Sequence, residues 1–376
     1  MQSIAQNYYL TYEFFTQLKL RTIGSLSPQG MRQRKKEVTI YDLAKELNVS
    51  PSTVSRALNN HKSIGKKTSK AVKALAEQMG YRPNAFAASL RTNTSNNFGI
   101  LVSWINRPFI SSLISGIENE ARERGYHTII SQSHDRTDFE IENLQAFQES
   151  RVSALIVSLA MSTKEYDHFE LFTTNKIPVV FVDRIPNVKD AHKVHINNFN
   201  AAFEATEHLI EQGCKRIAHF GGDVNQVIYE DRRLGCVAAL KKNNLEIDES
   251  LILEAVTLDA DEGMSMAKRV LSMPNPPDGI FCANDRSAVS AIQYAKSQNF
   301  RIPEDLAIIG FNNDPVCEII DPPLSSVNHP AVEMGTAAVR QVMKILDGSI
   351  PMYESSDTVL DTHVIVRKSS RKVNSR

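Results

Sequence analysis

Cysteine is scarce in this chain. Cys214, Cys236, Cys282 and Cys317 are the only four in 376 residues, widely spaced and without a C-x-x-C pair. That excludes a disulfide framework, and Cys282, inside an apolar run, reads as core. No apolar stretch reaches 18 residues, so no segment reads as a membrane-spanning helix. No G-x-G-x-x-G follows a strand-like run, and Gly221-Gly222 alone is a weak signal. Gly65-Lys66-Lys67-Thr68 lacks the upstream glycine of a phosphate-binding loop, and no G-x-S-x-G elbow occurs. His192 and His195 have no cysteine or carboxylate at a supporting spacing, so they read as two solvated histidines and not as a metal pair. The sequence predicts no enzyme, no metal site and no cofactor, and it has no internal repeats.

Net charge is also absent overall, with 43 basic and 43 acidic residues. The zero conceals a division. Residues 31–91 hold 13 Lys and Arg against 4 Asp and Glu, a net of +9, while everything after residue 91 carries about −10. A basic module in front of a large acidic domain fits a polyanion bound at one end.

What the basic module contains is TIYDLAKELNVSPSTVSRAL, residues 39–58. Thr39 followed by Asp42 makes a capping-box pattern, and Ile40, Leu43, Ala44 and Leu47 share a helical face. Asn48-Val49 supplies a turn. Ser50 suits the next N-cap and Pro51 the first helical position, where no amide hydrogen is needed. Val54, Ala57 and Leu58 point inward, leaving Ser52, Thr53, Ser55, Arg56 and Asn59 outward. Two short helices with a tight turn are the sequence form of a helix-turn-helix, whose second helix lies in the DNA major groove. Arginine is well shaped to read guanine through O6 and N7, and hydroxyls suit phosphates and bases alike.

A third helix is predicted over Lys66 to Met79, with Val72, Leu75, Ala76 and Met79 as its buried stripe. Gly80 should stop it and Pro83 prevents continuation. Asn84 can then cap an Ala-rich stretch to Leu90 and Arg91, too short to be a stable isolated helix. Such a segment could fold only with DNA and a partner subunit present, and Leu90 could act as an apolar wedge in the minor groove.

From Phe98 the pattern alternates. FGILVS, YHTIISQS, SALIVSLA, IPVVFVD, RIAHFGG, DGIFCAND and LAIIGF read as strands, separated by helical stretches such as Phe109 to Arg124 and Ala201 to Gln212. The expectation is an α/β domain of parallel, doubly wound sheets, long enough for two lobes. Ligands of such sheets bind at strand C-terminal ends. Asp183, Asn284-Asp285 and Asn312 end or follow strands, Phe109 opens a helix, and Arg232 is placed in a loop entering the helix RRLGCVAAL.

V-T-I-Y-D-L-A, V-S-x-x-T-V-S-R-A-L, G-Y-R-P-N-A-x-A-x-x-L, the V-D-R at 182–184, the A-N-D at 283–285, P-E-D-L-A-I-I-G-F and P-P-L-S-S-V together resemble the lac repressor family of bacterial transcription regulators, over residues 37–367. The resemblance implies an N-terminal all-α helix-turn-helix DNA-binding domain followed by a two-lobed periplasmic-binding-protein-like domain. It puts Pro51, Ser52 and Arg56 at base-reading positions. Pro51 has no side-chain donor, so Ser52 and Arg56 must carry more of the reading. Tyr41, Ser50, Thr53, Ser55, Asn59 and Thr68 match phosphate contacts, and Phe86, Ala87 and Leu90 match the minor-groove face of the hinge.

The same resemblance makes Phe109, Asp183, Arg232, Asn284, Asn312 and His329 effector-contacting positions, with Leu258 as a wall residue and Asp285 beside Asn284. Carboxylate, amides and guanidinium around an aromatic ring suit a sugar. Family members commonly carry aspartate at the position of Asn312, which weakens transfer of any particular ligand.

The organisation expected is an extension over 1–36, the DNA-binding domain over 37–92 with its hinge helix at 84–91, a linker at 93–97, the effector and dimerisation domain over 98–367, and a basic tail at 368–376. Lobe 1 is assigned 98–195 and 312–327, lobe 2 is assigned 196–311 and 328–367, and the crossovers fall near 195, 312 and 327. Met31 looks like the natural beginning, which makes the first thirty residues the product of an upstream start codon, disordered or loosely helical. They make a poor signal peptide. The expected protein is a cytoplasmic homodimer on a pseudo-palindromic operator. A coiled-coil tetramer is not expected, since the tail has no leucine heptad. An activator of the same architecture, a stand-alone sugar-binding protein or an enzyme on the same fold are the alternatives.

Overall fold

The computed structural model describes residues 38–81 and 95–372. The chain divides into two compact units near residue 84. The expectations for residues 1–36 and for the hinge at 84–91, with Asn84, Phe86, Ala87 and Leu90, lie outside the described residues.

The first unit is a small helical bundle of α1 (Ile40–Glu46), α2 (Pro51–Leu58) and α3 (Lys66–Met79). Thr39 and Asp42 form the anticipated reciprocal cap: the Thr39 amide donates to the Asp42 carboxylate at 2.8 Å and the Asp42 amide to the Thr39 hydroxyl at 3.3 Å. Asn48 takes a left-handed φ of 49° to turn the chain. Ser50 caps α2, accepting from the Thr53 amide at 3.1 Å. Leu43, Ala44, Val54, Ala57, Val72 and Ala76 form the buried core. Gly80 closes α3 at φ 67°, a conformation glycine reaches without a Cβ penalty.

The second unit has two lobes built alike. The first contains β1 (Asn97–Val102), α4 (Pro108–Glu123), β2 (His127–Gln132), α5 (Thr137–Glu149), β3 (Ala154–Val157), α6 (Glu170–Thr174), β4 (Val179–Val182) and β5 (His192–Ile196). The chain then crosses into α7 (Asn198–Glu211), β6 (Ile217–Gly221), α8 (Val227–Lys242), β7 (Ile252–Glu254), α9 (Ala260–Leu271), β8 (Gly279–Cys282), α10 (Asp285–Ser297), β9 (Ala307–Asn312), α11 (Val316–Ile319) and β10 (Ser325–Asn328). It returns as α12 (Ala331–Leu346) and β11 (Asp357–Leu360), and ends in β12 (Val364–Ile365).

The two sheets have strand orders β2-β1-β3-β4-β5-β11 and β7-β6-β8-β9-β10-β12. All their pairings are parallel except β10 with β12. Each order reverses beside its first strand, and crevices at strand C-termini form at such switch points.

Helices cover both faces of each sheet. In the first lobe α12 packs on α4 through paired glycines. A Cβ on Gly116 would lie 2.2 Å from the Val332 carbonyl oxygen, and one on Gly335 2.3 Å from that of Leu113. In the second lobe Gly235 of α8 repeats the device against Phe199 of α7 at 2.2 Å. No helix of the described residues is long and apolar enough to cross a membrane.

Several boundaries differ from the sequence reading. Residues 312–327 belong to the second lobe, because β10 pairs with β9. Residues 331–360 return to the first, because β11 pairs with β5. The crossovers therefore fall at about residues 197, 329 and 362. The linker ends earlier than 97, since Ser95 is already tied to the Arg151 carbonyl and Asn97 starts β1. Nor is the tail free from 368: Ser369 and Ser370 are fully buried, Ser369 bonding to Ser325 and Ser370 to His208.

His192 and His195 are strand residues of β5 three apart, so their rings leave opposite faces and cannot share an ion. His192 is buried, bonded to Ser356 at 2.8 Å, while His195 bonds Asp357 at 2.7 Å. Arg232, expected in a loop, sits inside α8.

Candidate functional site

On the helical unit, α2 presents Ser52 and Arg56 to solvent, with Pro51 half-buried. The Arg56 side chain makes no hydrogen bond or ion pair among the described residues, which leaves its guanidinium donors available for a base edge. The Ser50 hydroxyl caps α2 and also bonds the Ser52 and Thr53 hydroxyls at 2.8 Å each. The Asn59 amide turns back onto the Ser55 carbonyl at 3.0 Å. Tyr41 is 70 % exposed and Thr68 half-buried in the first turn of α3. Gly65 caps that helix with no side-chain acceptor, beside Lys66 and Lys67. Its first amides are open to an anion.

In the second unit, loops at strand C-terminal ends from both lobes enclose a cavity of about 440 Å³. Of the eight expected effector positions, Phe109, Asp183, Arg232, Asn284 and Asn312 line it. Three do not. Leu258 is fully buried behind the wall, where its carbonyl accepts from the Asn284 amide at 2.9 Å. Asp285 points into the second lobe, accepting the Ser326 hydroxyl at 2.6 Å and the Asp314 amide at 2.7 Å. It is a staple between α10, β10 and the loop after β9, and burial lifts its carboxyl to about 7. His329 lies next to Phe109 and faces a separate hollow of about 190 Å³.

The lining residues are held from outside. Arg232 is fully buried; it donates to Asn198 at 2.9 Å and the Ala283 carbonyl at 2.7 Å, and its guanidinium stacks 3.6 Å from the Phe311 ring centre. Burial pushes it down to about 10, so it stays charged at neutral pH. Burial moves the Asp183 carboxyl up, against the pull of Arg184 and Arg232. Asn284 caps α10 through the Ser287 amide at 2.8 Å. Asp183, Leu258 and Asn312 all adopt positive φ, at 63°, 49° and 112°. Non-glycine residues held there mark turns that the surroundings must enforce, a pattern common around ligand sites.

Other lining residues were not singled out from sequence as site residues, among them Ser103, Trp104, Arg107, Asp135, Tyr229, Arg286 and Asp314. Each sits within a few residues of a strand end or opens a helix, a position only the topology makes significant. Arg184 was quoted in a motif without a role. It is paired with Asp135, which also accepts from the Trp104 indole at 2.8 Å. Burial opposes the Arg184 charge, but Asp135, Tyr229 and Asp183 outweigh it and raise its pKa.

A basic helix-turn-helix and a two-lobed domain with a ligand-sized cleft in one chain define a DNA-binding regulator with a sensor domain. The chain matches the family model for bacterial regulatory proteins of the lacI family over residues 39–84 and that for the periplasmic binding protein-like domain over 206–370. It is 30 % identical over 344 residues to the HTH-type transcriptional repressor CytR of Escherichia coli K12, covering 91 % of this chain and 99 % of that protein. Among solved structures, a complex of the transcriptional regulator CelR with cellobiose aligns with TM-score 0.67 and 26 % identity, over 89 % of this chain and 100 % of that one. A lac repressor dimer bound to operator and the anti-inducer ONPF aligns with TM-score 0.78 and 22 % identity, over 89 % and 99 %. The protein belongs to the lacI family of bacterial regulatory proteins.

Proposed function

We propose that this chain is a cytoplasmic, non-enzymatic transcriptional repressor. It binds a pseudo-palindromic operator as a homodimer and adjusts its affinity when a sugar or sugar derivative enters the cleft. The observation that carries the reading is that the cavity wall is shared: Trp104, Phe109 and Asp183 come from one lobe, Arg232, Asn284 and Asn312 from the other. A ligand held by both lobes prefers one degree of closure, and it can shift operator affinity only by that preference.

On the head, Ser52 and Arg56 read bases with Pro51 beside them, while Tyr41, Ser50, Thr53, Ser55, Asn59 and Thr68 hold phosphates. Exposed Val332 of α12 and Val359 of β11 support pairing of two subunits through the first lobe. The relative named CytR is a repressor and the similar structure of CelR is a complex with cellobiose, which supports repression and a sugar-type effector.

The test selects a binding site from a random duplex library, then measures affinity for it across salt concentration and a sugar panel. A salt-dependent preference for the selected duplex, changed by at least one sugar, is the expected result. Equal affinity for every duplex would overturn the DNA-reading role. Turnover of a panel member would overturn the non-enzymatic one.

A further inference from the structure

The cleft carries more positive charge than its own residues consume. Four arginines line it, at 107, 184, 232 and 286, against three aspartates, at 135, 183 and 314. Two of the four are committed. Arg184 pairs with Asp135, and Arg232 is spent on Asn198, Ala283 and the Phe311 ring.

The side chains of Arg107 and Arg286 make no hydrogen bond or ion pair among the described residues. They come from opposite lobes. Arg107 stands at the N-cap of the 16-residue α4, where its side chain makes no cap bond, and Arg286 is the second residue of the 13-residue α10. They are near enough that Arg286, after burial, is the largest influence depressing the charge on Arg107. Two like charges brought together across a cleft repel unless something negative lies between them. Both helix N-termini add their own positive end to the same space.

The carboxylates nearby do not fill the role. Asp135 is used twice over. Asp183 meets His329 and neither of the two arginines, and Asp314, lifted by burial to about 6 but still ionised at neutral pH, makes no ion pair with them. Asp259 acts on both arginines from outside the lining, with its carboxylate capping α9 through the Asp261 and Glu262 amides. Asp314 lies near Arg107 without reaching ion-pair distance, so a direct Arg107–Asp314 closure contact is the rival use of that arginine.

We propose that the effector is an acidic sugar derivative, a hydroxylated carbon skeleton carrying a carboxylate or phosphate, whose anionic group bridges Arg107 of the first lobe and Arg286 of the second. This rests on the cleft being the effector site. The anion cancels the repulsion between the lobes, so binding favours closure. The remaining Nη2 of Arg232, with Asn284 and Asn312, is left for the hydroxyls, and Phe109 and Tyr229 for the apolar face.

The chain's single tryptophan, Trp104, lines the cleft and gives the readout. The full chain is titrated, following Trp104 emission, with inorganic phosphate, acetate, glucose, glucuronate and glucose 6-phosphate. The same titrations use Arg107→Gln, Arg286→Gln and the double variant; Arg286 is exposed, so its variant should fold normally. The expected result is saturable binding of at least one acidic probe, about tenfold or more tighter than glucose, falling to parity in the double variant. Whether the phosphate or the carboxylate members bind decides which anion the pair accepts.

Glucose binding as tightly as its acidic counterparts overturns the proposal while leaving the cleft as effector site intact. So does a preference that survives in the double variant. No saturable response to any acidic probe up to about 10 mM overturns it as well. Equal weakening of neutral and acidic probes by Arg107→Gln, with none by Arg286→Gln, assigns Arg107 to Asp314 and overturns the bridge. Loss of operator discrimination under every condition would instead strike the proposed function itself.

Discussion

The ring of Phe109 stacks on that of His329 with centroids 4.1 Å apart. Phe109 is the second residue of α4, and His329 belongs to the segment by which the chain crosses back from the second lobe. The cleft wall and the crossover therefore share one pair of rings. His329 also lies 3.3 Å from the Asn312 side chain and 3.6 Å from the Asp183 carboxylate. Burial, aided by Arg232, holds His329 well below the usual imidazole range, so at neutral pH this is a neutral ring and the approach to Asp183 is no ion pair.

Arg56 stands free on the exposed face of α2. Replacing it with alanine should cost about 1–3 kcal/mol of operator binding and relax preference at one base position. A mobility-shift comparison of single-base operator variants checks this. Unchanged binding would remove Arg56 from the reading set.

Arg232 is a harder residue to remove. Alanine there would strand Asn198 and the Ala283 carbonyl in a buried space, costing about 2–4 kcal/mol of stability. Arg232→Gln, which keeps a donor, should fold, bind operator nearly normally and lose the effector response. A full response from that variant would show that the ligand does not use the guanidinium.

Gly335 meets backbone, not a movable side chain, where α12 crosses α4. Gly335→Ala should destabilise the sensor unit by about 1–3 kcal/mol, read as a lower urea midpoint. Gly65→Ala is the control: its added Cβ meets nothing within 4 Å, and the head should stay within about 1 kcal/mol of the parent. A parental midpoint for Gly335→Ala would mean that the helices can separate freely.

His219 is buried against Phe281 and pushed down by burial to about 4. Below the ordinary imidazole pKa the unfolded chain takes up a proton that the folded one refuses, so this histidine makes the fold weaker as pH falls from about 6.5 toward 4. Between about pH 7.5 and 5 the parent should lose about 2 kcal/mol relative to His219→Asn, with the other groups cancelling between the two. Parallel stability curves for the two proteins over that range would place the proton elsewhere.

The helical head was legible almost residue by residue. Its caps, turn and buried stripe are local, set by neighbours within four positions, so Thr39, Ser50 and Gly80 could be read from their sequence surroundings. The central strands were legible too, because strands covered on both faces are continuously apolar. What escaped were β5, β7, β10, β11 and β12. They are short or polar, such as SSVN in β10 and the exposed DTVL of β11, and only pairing with a neighbour makes them strands.

The sequence by itself determined a basic reading head and a doubly wound sensor, because both follow from spacing along the chain. Only the tertiary structure decided which lobe each later segment joins, that Asp285 and His329 support the cleft from behind, and that Arg107 and Arg286 face one space. Those facts depend on which strand ends meet across the crossovers, and residues nearly 180 positions apart carry no trace of that meeting in their local sequence.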